Sequence, residues 1–495
     1  MNRITMFRLS ICSVFFLCVL HTLQQAQPLT LNEKADGYLG IWYQNQPLDN
    51  IYKFKYSGGL GTYCAKHKPF AVYSEEAHKT FFCFGGVKKG YHEEHELTRG
   101  GIGGDSTQNA MYHMVGYYDH ETGMVPRPTI LLDKQTYDAH DNPVISMDDK
   151  GYISIFSTSH GTLRPSYIHR SKQPYDISEF ERIMPTYQVN SNPIPLDNFS
   201  YMQAWYVSGH GFVCFLTQYN QPAKRTNYFM RSEDGVSWSE MTRLAAIEEG
   251  HYQISAVNET VAGTAFNYHP EGQGLNWRTN LYYMETRDMG KTWQAADGTL
   301  LNLPLTNPQN AALIYDFEAN DLKIYLKDIR YDAQNRPVIL FLTSRGYKSG
   351  PESDPRTWKL AHWTGDQWKI RPITTSDNNY DMGSLWLADE DQWQIIAPTE
   401  TGPQPYNPGG EVAMWESNDQ GQSWQQVKIL TQNSMFNHTY VRQPVNAHPD
   451  FWALWADGNG REPSESRIYF CNQQGEVFRL PMEMNAEMEL PEKIN

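Results

Sequence analysis

The sequence predicts an all-β fold, a β-propeller, and three observations carry that expectation. Short runs of β-branched and aromatic residues recur between turn residues, among them Phe70-Ala71-Val72-Tyr73, Thr80 to Phe84, Tyr152 to Phe156, Gly211 to Leu216 and Val338 to Leu342. They alternate or run apolar over about five residues, as strands do, and helical periodicity is nearly absent. The second observation is internal repetition. Ser232-Glu233-Asp234-Gly235-Val236-Ser237-Trp238, Thr286 to Trp293 and Ser417 to Trp424 share an S/T-x-D-x-G-x-T/S-W pattern, the Asp box. In that pattern Asp caps a hairpin turn, Gly supplies a positive φ, and Trp packs into the sheet. Each box follows a strand-like run (Thr226 to Met230, Asn280 to Met284, Glu411 to Trp415), and Gly365-Asp366-Gln367-Trp368 reads as a degenerate fourth. Third, no linker or low-complexity tract divides residues 30 to 480, so one domain is expected over 27–495. About 470 residues in blades of about 65 suggest seven, within the range of propellers. The boxes are structural and say nothing direct about chemistry.

The chain has 495 residues, of which 40% are hydrophobic and 13% aromatic, enough for a large core. Its 41 Lys+Arg against 56 Asp+Glu give a net charge of −15, which argues against a nucleic-acid partner. An anionic polymer is still compatible, because a basic cleft can exist on an acidic protein. Residues 1–26 read as a secretory signal: Arg3 and Arg8, an apolar run from Leu9 to Leu20, then Gln24-Gln25-Ala26 before a cut. The run is too short for a membrane span, and no later segment is apolar enough for one. A secreted or periplasmic protein without membrane insertion is therefore expected. Cys12 and Cys18 would leave with the signal. Cys64, Cys83, Cys214 and Cys471 show no CxxC spacing and are expected mostly as small buried hydrophobes. Cys64, His67 and Cys83 could lie near one another as zinc ligands, which leaves a structural metal open; no metal or organic cofactor is expected for the chemistry.

No nucleotide loop, HExxH helix or GxSxG elbow is present. What stands out is a His- and Arg-rich stretch. Asp138-Ala139-His140-Asp141-Asn142-Pro143 ends one turn, and Ser157-Thr158-Ser159-His160-Gly161 follows about twenty residues on. Between Ser159 and Tyr175 lie His160, Arg164, His169, Arg170 and Lys172 with no acidic residue, a local basic face suited to a carboxylated or sulfated polymer. A solvated loop with ordinary turn histidines reads equally well from these residues alone.

The segments Tyr56 to Tyr63, Asp138 to Pro143, Ser157 to Gly161, Arg164-Pro165-Ser166-Tyr167 and Tyr440 to Asp457 resemble the BNR-repeat propellers that include ulvan lyases of polysaccharide lyase families 24 and 25. The resemblance covers nearly all of the chain after the signal. It implies a seven-bladed propeller and a lyase site made of two histidines, a catalytic tyrosine, an arginine and a further tyrosine. Position by position, His140 and His160 match the pair, Tyr206 the catalytic tyrosine, Arg225 the arginine and Tyr268 the last tyrosine. Arg164 joins them as a substrate contact. The Tyr206-to-Arg225 interval is longer than the pattern wants, with Gln221 to Lys224 as the insertion, so Tyr201 stays a rival for the catalytic role. The implied substrate is an anionic uronate-containing polysaccharide, cleaved between sulfated rhamnose and uronic acid. The alternatives are a rhamnose–glucuronate hydrolase resembling glycoside hydrolase family 145, using His67 on the opposite face, and a non-catalytic glycan-binding propeller. A sialidase is disfavoured because no early RIP-type motif is present.

Overall fold

The computed structural model describes residues 30–60, 66–89, 111–136, 138–162, 164–220, 224–387 and 390–495. The expected signal, Cys64 and most of the proposed insertion lie outside the described residues. Among the described residues, seven sheets of four or more strands follow one another along the chain, antiparallel but for Thr186–Val189 against Ser237–Trp238, with three single-turn 3-10 helices as the helical elements. No described helix is long and apolar enough to cross a membrane.

Each sheet is built on a meander whose first strand lies nearest the centre, and in the first and third sheets an earlier segment (Glu33–Lys34; Thr186–Val189 with Asn192–Pro195) is added at the outer edge. Ala71–Ser74 packs against Pro143–Met147, which packs against Ser200–Val207, then come Gln253–Val257, Lys323–Tyr331 and Ser384–Leu387. The circuit continues through Val441 N–H, which donates to the carbonyl of Met382 at 3.1 Å, into the strand Asn437–Arg442. It closes where Val445 and Val72 form a parallel bridge, with Val445 N–H on the Ala71 carbonyl and Tyr73 N–H on the Val445 carbonyl, both 2.9 Å. This closed circuit of sheets is a β-propeller. The sheets are buried on both faces, so their strands read as nearly continuous apolar runs, such as Val338 to Leu342, all five at 0% exposure.

The three Asp boxes, and the degenerate fourth, occupy the hairpin between the third and fourth strands of their sheets. In the first, Asp234 Oδ1 accepts from Val236 and Ser237 N–H at 2.8 and 2.7 Å, and Ser232 Oγ accepts from Gly235 N–H at 2.9 Å. Gly235, Gly290 and Gly421 have φ of +75°, +89° and +74°, the left-handed turn geometry that favours glycine. Trp238 and Trp293 are buried beneath their turns. Cys83, Cys214 and Cys471 are buried free thiols, as expected of small hydrophobic residues.

Alternating hairpins divide the chain's turns between two faces. One face gathers the starts of the inner strands and the hairpins between second and third strands; the other gathers the remaining hairpins, the Asp boxes included. The ionisable side chains described next belong to the first face.

Candidate active site

The site begins at a 3-10 turn, Ala139–Asp141, just before the inner strand Pro143–Met147. Asp138 caps the turn by accepting from His140 N–H at 3.1 Å. The same carboxylate then reaches both histidines: Oδ1 lies 2.5 Å from His140 Nδ1 and Oδ2 lies 2.7 Å from His160 Nδ1. An ionised carboxylate only accepts, so each ring donates through Nδ1. The rings stack at 3.9 Å between centroids with 12° between planes.

Burial opposes the charge on Asp138, but the hydrogen bonds and charges of the two imidazoles outweigh it and hold the carboxyl well below the usual range. Burial, reinforced by the neighbouring His160, pulls His140 down to about 4, so its ring is neutral at pH 7. Arg164 Nε donates to Asp141 Oδ2 at 2.6 Å and its Nη2 lies 3.2 Å from Asp138 Oδ2. Arg164 thus braces the two carboxylates. In the structure this guanidinium, expected as a substrate contact, is held by these two anions.

Six side chains close a loop. His140 meets Tyr201 edge-on at 5.8 Å, Tyr201 meets Tyr252 at 5.6 Å, and Arg225 lies 5.5 Å from the Tyr252 ring. Arg225 also lies 5.2 Å from the Tyr219 ring, and Tyr219 meets His160 at 6.2 Å. Tyr201 stands at the start of its inner strand with φ +49°, in a bulge where the register with the next strand shifts between Ser200 and Gln203. Such a conformation is costly for a tyrosine and turns its ring toward the histidines. Arg225 is seated by Gly250, whose φ is +110° and whose absent Cβ would lie 2.4 Å from the Arg225 carbonyl oxygen. His251 N–H donates to that carbonyl at 3.0 Å.

The structure does not bring Tyr206 to this loop. It lies five residues beyond Tyr201 on the same strand, about 16 Å away at ~3.3 Å per residue. It pairs with Phe212 near the opposite hairpin, and its hydroxyl donates to Asp149 Oδ2 at 3.3 Å. Tyr268 is also turned away. Its hydroxyl bonds Glu318 and its ring packs on Tyr282, because alternation along Ala262–Tyr268 sends it into the neighbouring core. Tyr252 supplies the second tyrosine instead. His67 was expected on the opposite face, but it precedes the inner strand Ala71–Ser74 and meets Tyr201 edge-on at 5.2 Å, fully buried. The basic face expected between Ser159 and Tyr175 is neutralised: besides Arg164, Arg170 pairs with Asp148 at 2.8 Å and Lys172 with Glu179 at 2.9 Å.

Positive charge enters from residues the sequence reading passed over. Lys66 lies 5.8 Å from the Tyr252 ring and Arg278 4.3 Å from it. Arg278 also faces Tyr325 and Tyr380, and Lys55 faces Tyr56 and Tyr380. Burial and the charges of Arg278 and Arg225 drive the Lys55 ammonium well below its usual range, the mark of cations crowded into one space. A local signal existed in Asn276-Trp277-Arg278 and Gly250-His251-Tyr252, aromatic–basic pairs beside turn residues, but nothing in their spacing joined them to His140.

Asp138, His140 and His160 also offer three atoms close enough to hold a metal ion. Their Nδ1 hydrogen bonds already satisfy the carboxylate, so a metal there would displace both. A cleft of about 560 Å³ lies on the other face beside Tyr206, Asp149 and Arg330. It contains none of the six side chains of the loop, and chemistry is assigned by the ionisable groups rather than by volume.

The fold and this cluster define a β-propeller with a polar, cation-rich centre at one end of its axis. Residues 107–376 match the family described as BNR repeat-containing family member, and the chain belongs to that family. It is 24% identical over 385 residues to an ulvan lyase of Nonlabens ulvanivorans, covering 70% of this chain and 76% of that protein. It is 21% identical over 414 residues to an ulvan lyase of the PL25 type from Pseudoalteromonas sp. (strain PLSV), covering 76% and 81%. A solved PL25 ulvan lyase superposes with a TM-score of 0.62 at 17% identity, over 90% of this chain and 96% of its own, which establishes the shared fold. The same enzyme has been solved bound to -[GlcA(1-4)Rha3S]-.

Proposed function

We propose that the chain is a polysaccharide lyase that cleaves an ulvan-like anionic polymer by β-elimination. The observation that carries this reading is the closed loop of His140, Tyr201, Tyr252, Arg225, Tyr219 and His160, with Lys66 and Arg278 beside it. The ulvan lyase relatives support the same chemistry.

Elimination breaks the C5–H bond of a uronic acid, forms the C4=C5 double bond and expels the C4 oxygen. The C5 proton becomes acidic only when the neighbouring carboxylate is neutralised, and Arg225 with Arg278 supplies fixed positive charge for that. Tyr201 carries the proton. His140, a neutral ring with its lone pair on Nε2, can take a proton from the tyrosine or from C5, and Asp138 holds it in that tautomer. Where the C5 proton and the leaving oxygen share a face of the ring, Tyr201 can return the proton to the oxygen. The expected substrate joins a glucuronic or iduronic acid to a sulfated rhamnose.

Incubation of the purified protein with ulvan tests this directly. A rise in ultraviolet absorbance from unsaturated uronate is expected. Free rhamnose with no such rise would favour a hydrolase, and binding without any product would favour a glycan-binding propeller.

A further inference from the structure

The face that carries the Asp boxes holds a second ionisable cluster, remote from the loop of histidines and tyrosines. His120 follows the third strand of the first sheet, Tyr112–Asp119. His448 and Asp450 lie in the segment between the first two strands of the last sheet, Asn437–Arg442 and Ala453–Gly458. The two rings approach to 4.0 Å between centroids. One ligand atom from each of the three residues lies within 4.8 Å of the others.

We propose that His120, His448 and Asp450 form a divalent-metal site, best matched to zinc, that clips the first sheet to the last. His120 is the decisive member. Its side chain is 2% exposed, and Nε2 is engaged with Thr80 Oγ1 at 2.8 Å. Nδ1 is buried with no hydrogen-bond partner and faces Asp450 Oδ2 at 3.9 Å, too long for a hydrogen bond. Asp450 Oδ2 is 3.6 Å from His448 Nδ1. Zinc bound at about 2.0–2.2 Å in a tetrahedron places its ligand atoms about 3.3–3.6 Å apart. On these edges the cluster needs a few tenths of an ångström of closure, and the metal would replace the hydrogen bond that Asp450 N–H donates to His448 Nδ1 at 3.2 Å. Thr80, itself fully buried, supplies the hydrogen bond that orients a ligating imidazole. Tyr73 packs against both rings, 5.2 Å from His120 and 4.8 Å from His448, and shields one side. The fourth position is open to water. Two imidazoles and one carboxylate are a donor set for zinc rather than for calcium or magnesium, which take oxygen.

Position gives the site its purpose. Tyr73 belongs to the strand whose partner Val445 closes the circuit of sheets. A metal three residues beyond Val445 would reinforce that seam. The inference is independent of the lyase reading.

The test uses the full chain, stripped with chelator and titrated with zinc chloride by calorimetry and thermal unfolding. One equivalent should bind, and at about 100 times Kd the Tm should rise by about 3 °C for a chain of this size. His448→Gln and Asp450→Asn, both at accessible positions, should each abolish uptake and shift while leaving the zinc-free Tm unchanged. His160→Gln should keep both, which separates this site from the Asp138 cluster. No zinc uptake by the parent protein, uptake that survives His448→Gln, or uptake lost in His160→Gln would each overturn the proposal.

Discussion

Tyr201 and Tyr206 share one strand, and removing either hydroxyl tests the site with little change in packing. In Tyr201→Phe the ring keeps its edge contacts with His140, Tyr252 and His67, at 5.8, 5.6 and 5.2 Å between centroids. What is lost is the proton carrier. A general acid–base group contributes about 10²–10⁴-fold, and this one serves in both proton transfers, so kcat should fall by at least about 10³-fold. In Tyr206→Phe the loss is one 3.3 Å hydrogen bond to an exposed carboxylate, Asp149. That is about 0.5 kcal/mol of stability at most, and turnover should stay within twofold. Initial rates of unsaturated-uronate formation from ulvan, with substrate varied to separate kcat from KM, give both numbers. If Tyr206→Phe loses as much as Tyr201→Phe, or Tyr201→Phe keeps more than a tenth of the parent rate, the loop of six side chains is not the catalytic centre.

Three further outcomes are expected. Asp138→Asn can accept from one imidazole but must present its NH₂ to the other, so one ring loses its tautomer; kcat should fall about 10²–10⁴-fold while circular dichroism stays native. His251 sits with Nδ1 on the Asn267 carbonyl and Nε2 accepting Ile247 N–H, both at 2.8 Å, and burial pulls it down to about 4. Its folded value is depressed below the unfolded 6.5, so the unfolded chain binds the extra proton. Stability from His251 is complete above about pH 6.5 and lost as pH falls toward 4, at up to about 3 kcal/mol. Urea midpoints across that range check the slope, which His251→Gln should flatten. Gly421→Ala would place a methyl 2.6 Å from Leu360 Cδ2 and 2.9 Å from Trp393 at φ +74°, whereas Gly298→Ala at φ +85° meets nothing within 4 Å. Both carry a left-handed cost of about 1–2 kcal/mol, and calorimetry should find Gly421→Ala the more destabilising.

What was legible in the sequence was local. An Asp box is fixed by residues within eight positions of one another, so Asp234, Asp288 and Asp419 could be placed on hairpins by pattern alone. The His140–His160 pair was legible for the same reason, one strand out and one strand back. Tyr201 was legible only as a rival, because the bulge at Ser200–Gln203 changes which side chains face the centre and the resemblance matched Tyr206 first. Tyr268 failed on alternation: neighbours on a pleated strand point opposite ways, and only the partner strand shows which way is in. Arg164 looked free because its partners, Asp138 and Asp141, precede it by more than twenty residues. Arg278 and Tyr252 lead into two strands of one sheet, whereas Lys66 leads toward the inner strand of the first, so Lys66 meets them only through the closure of the ring. The same closure puts His67 beside Tyr201, since every segment leading into an inner strand arrives at that end.

Closure also orders events in time. Each sheet is a run of hairpins that can zip from its own neighbours, but the seam joins Val72 to Val445, and Trp42 Nε1 donates to the Asn459 carbonyl at 2.7 Å across 417 residues. Contacts that distant are slow to find, because a long loop must be drawn in before any reward is collected. While the segment around residues 437–458 is unmade or undocked, the first sheet's inner strand has an unpaired flank. A chain halted before that segment would carry a complete set of Asp boxes and an open edge ready to pair with another copy of itself.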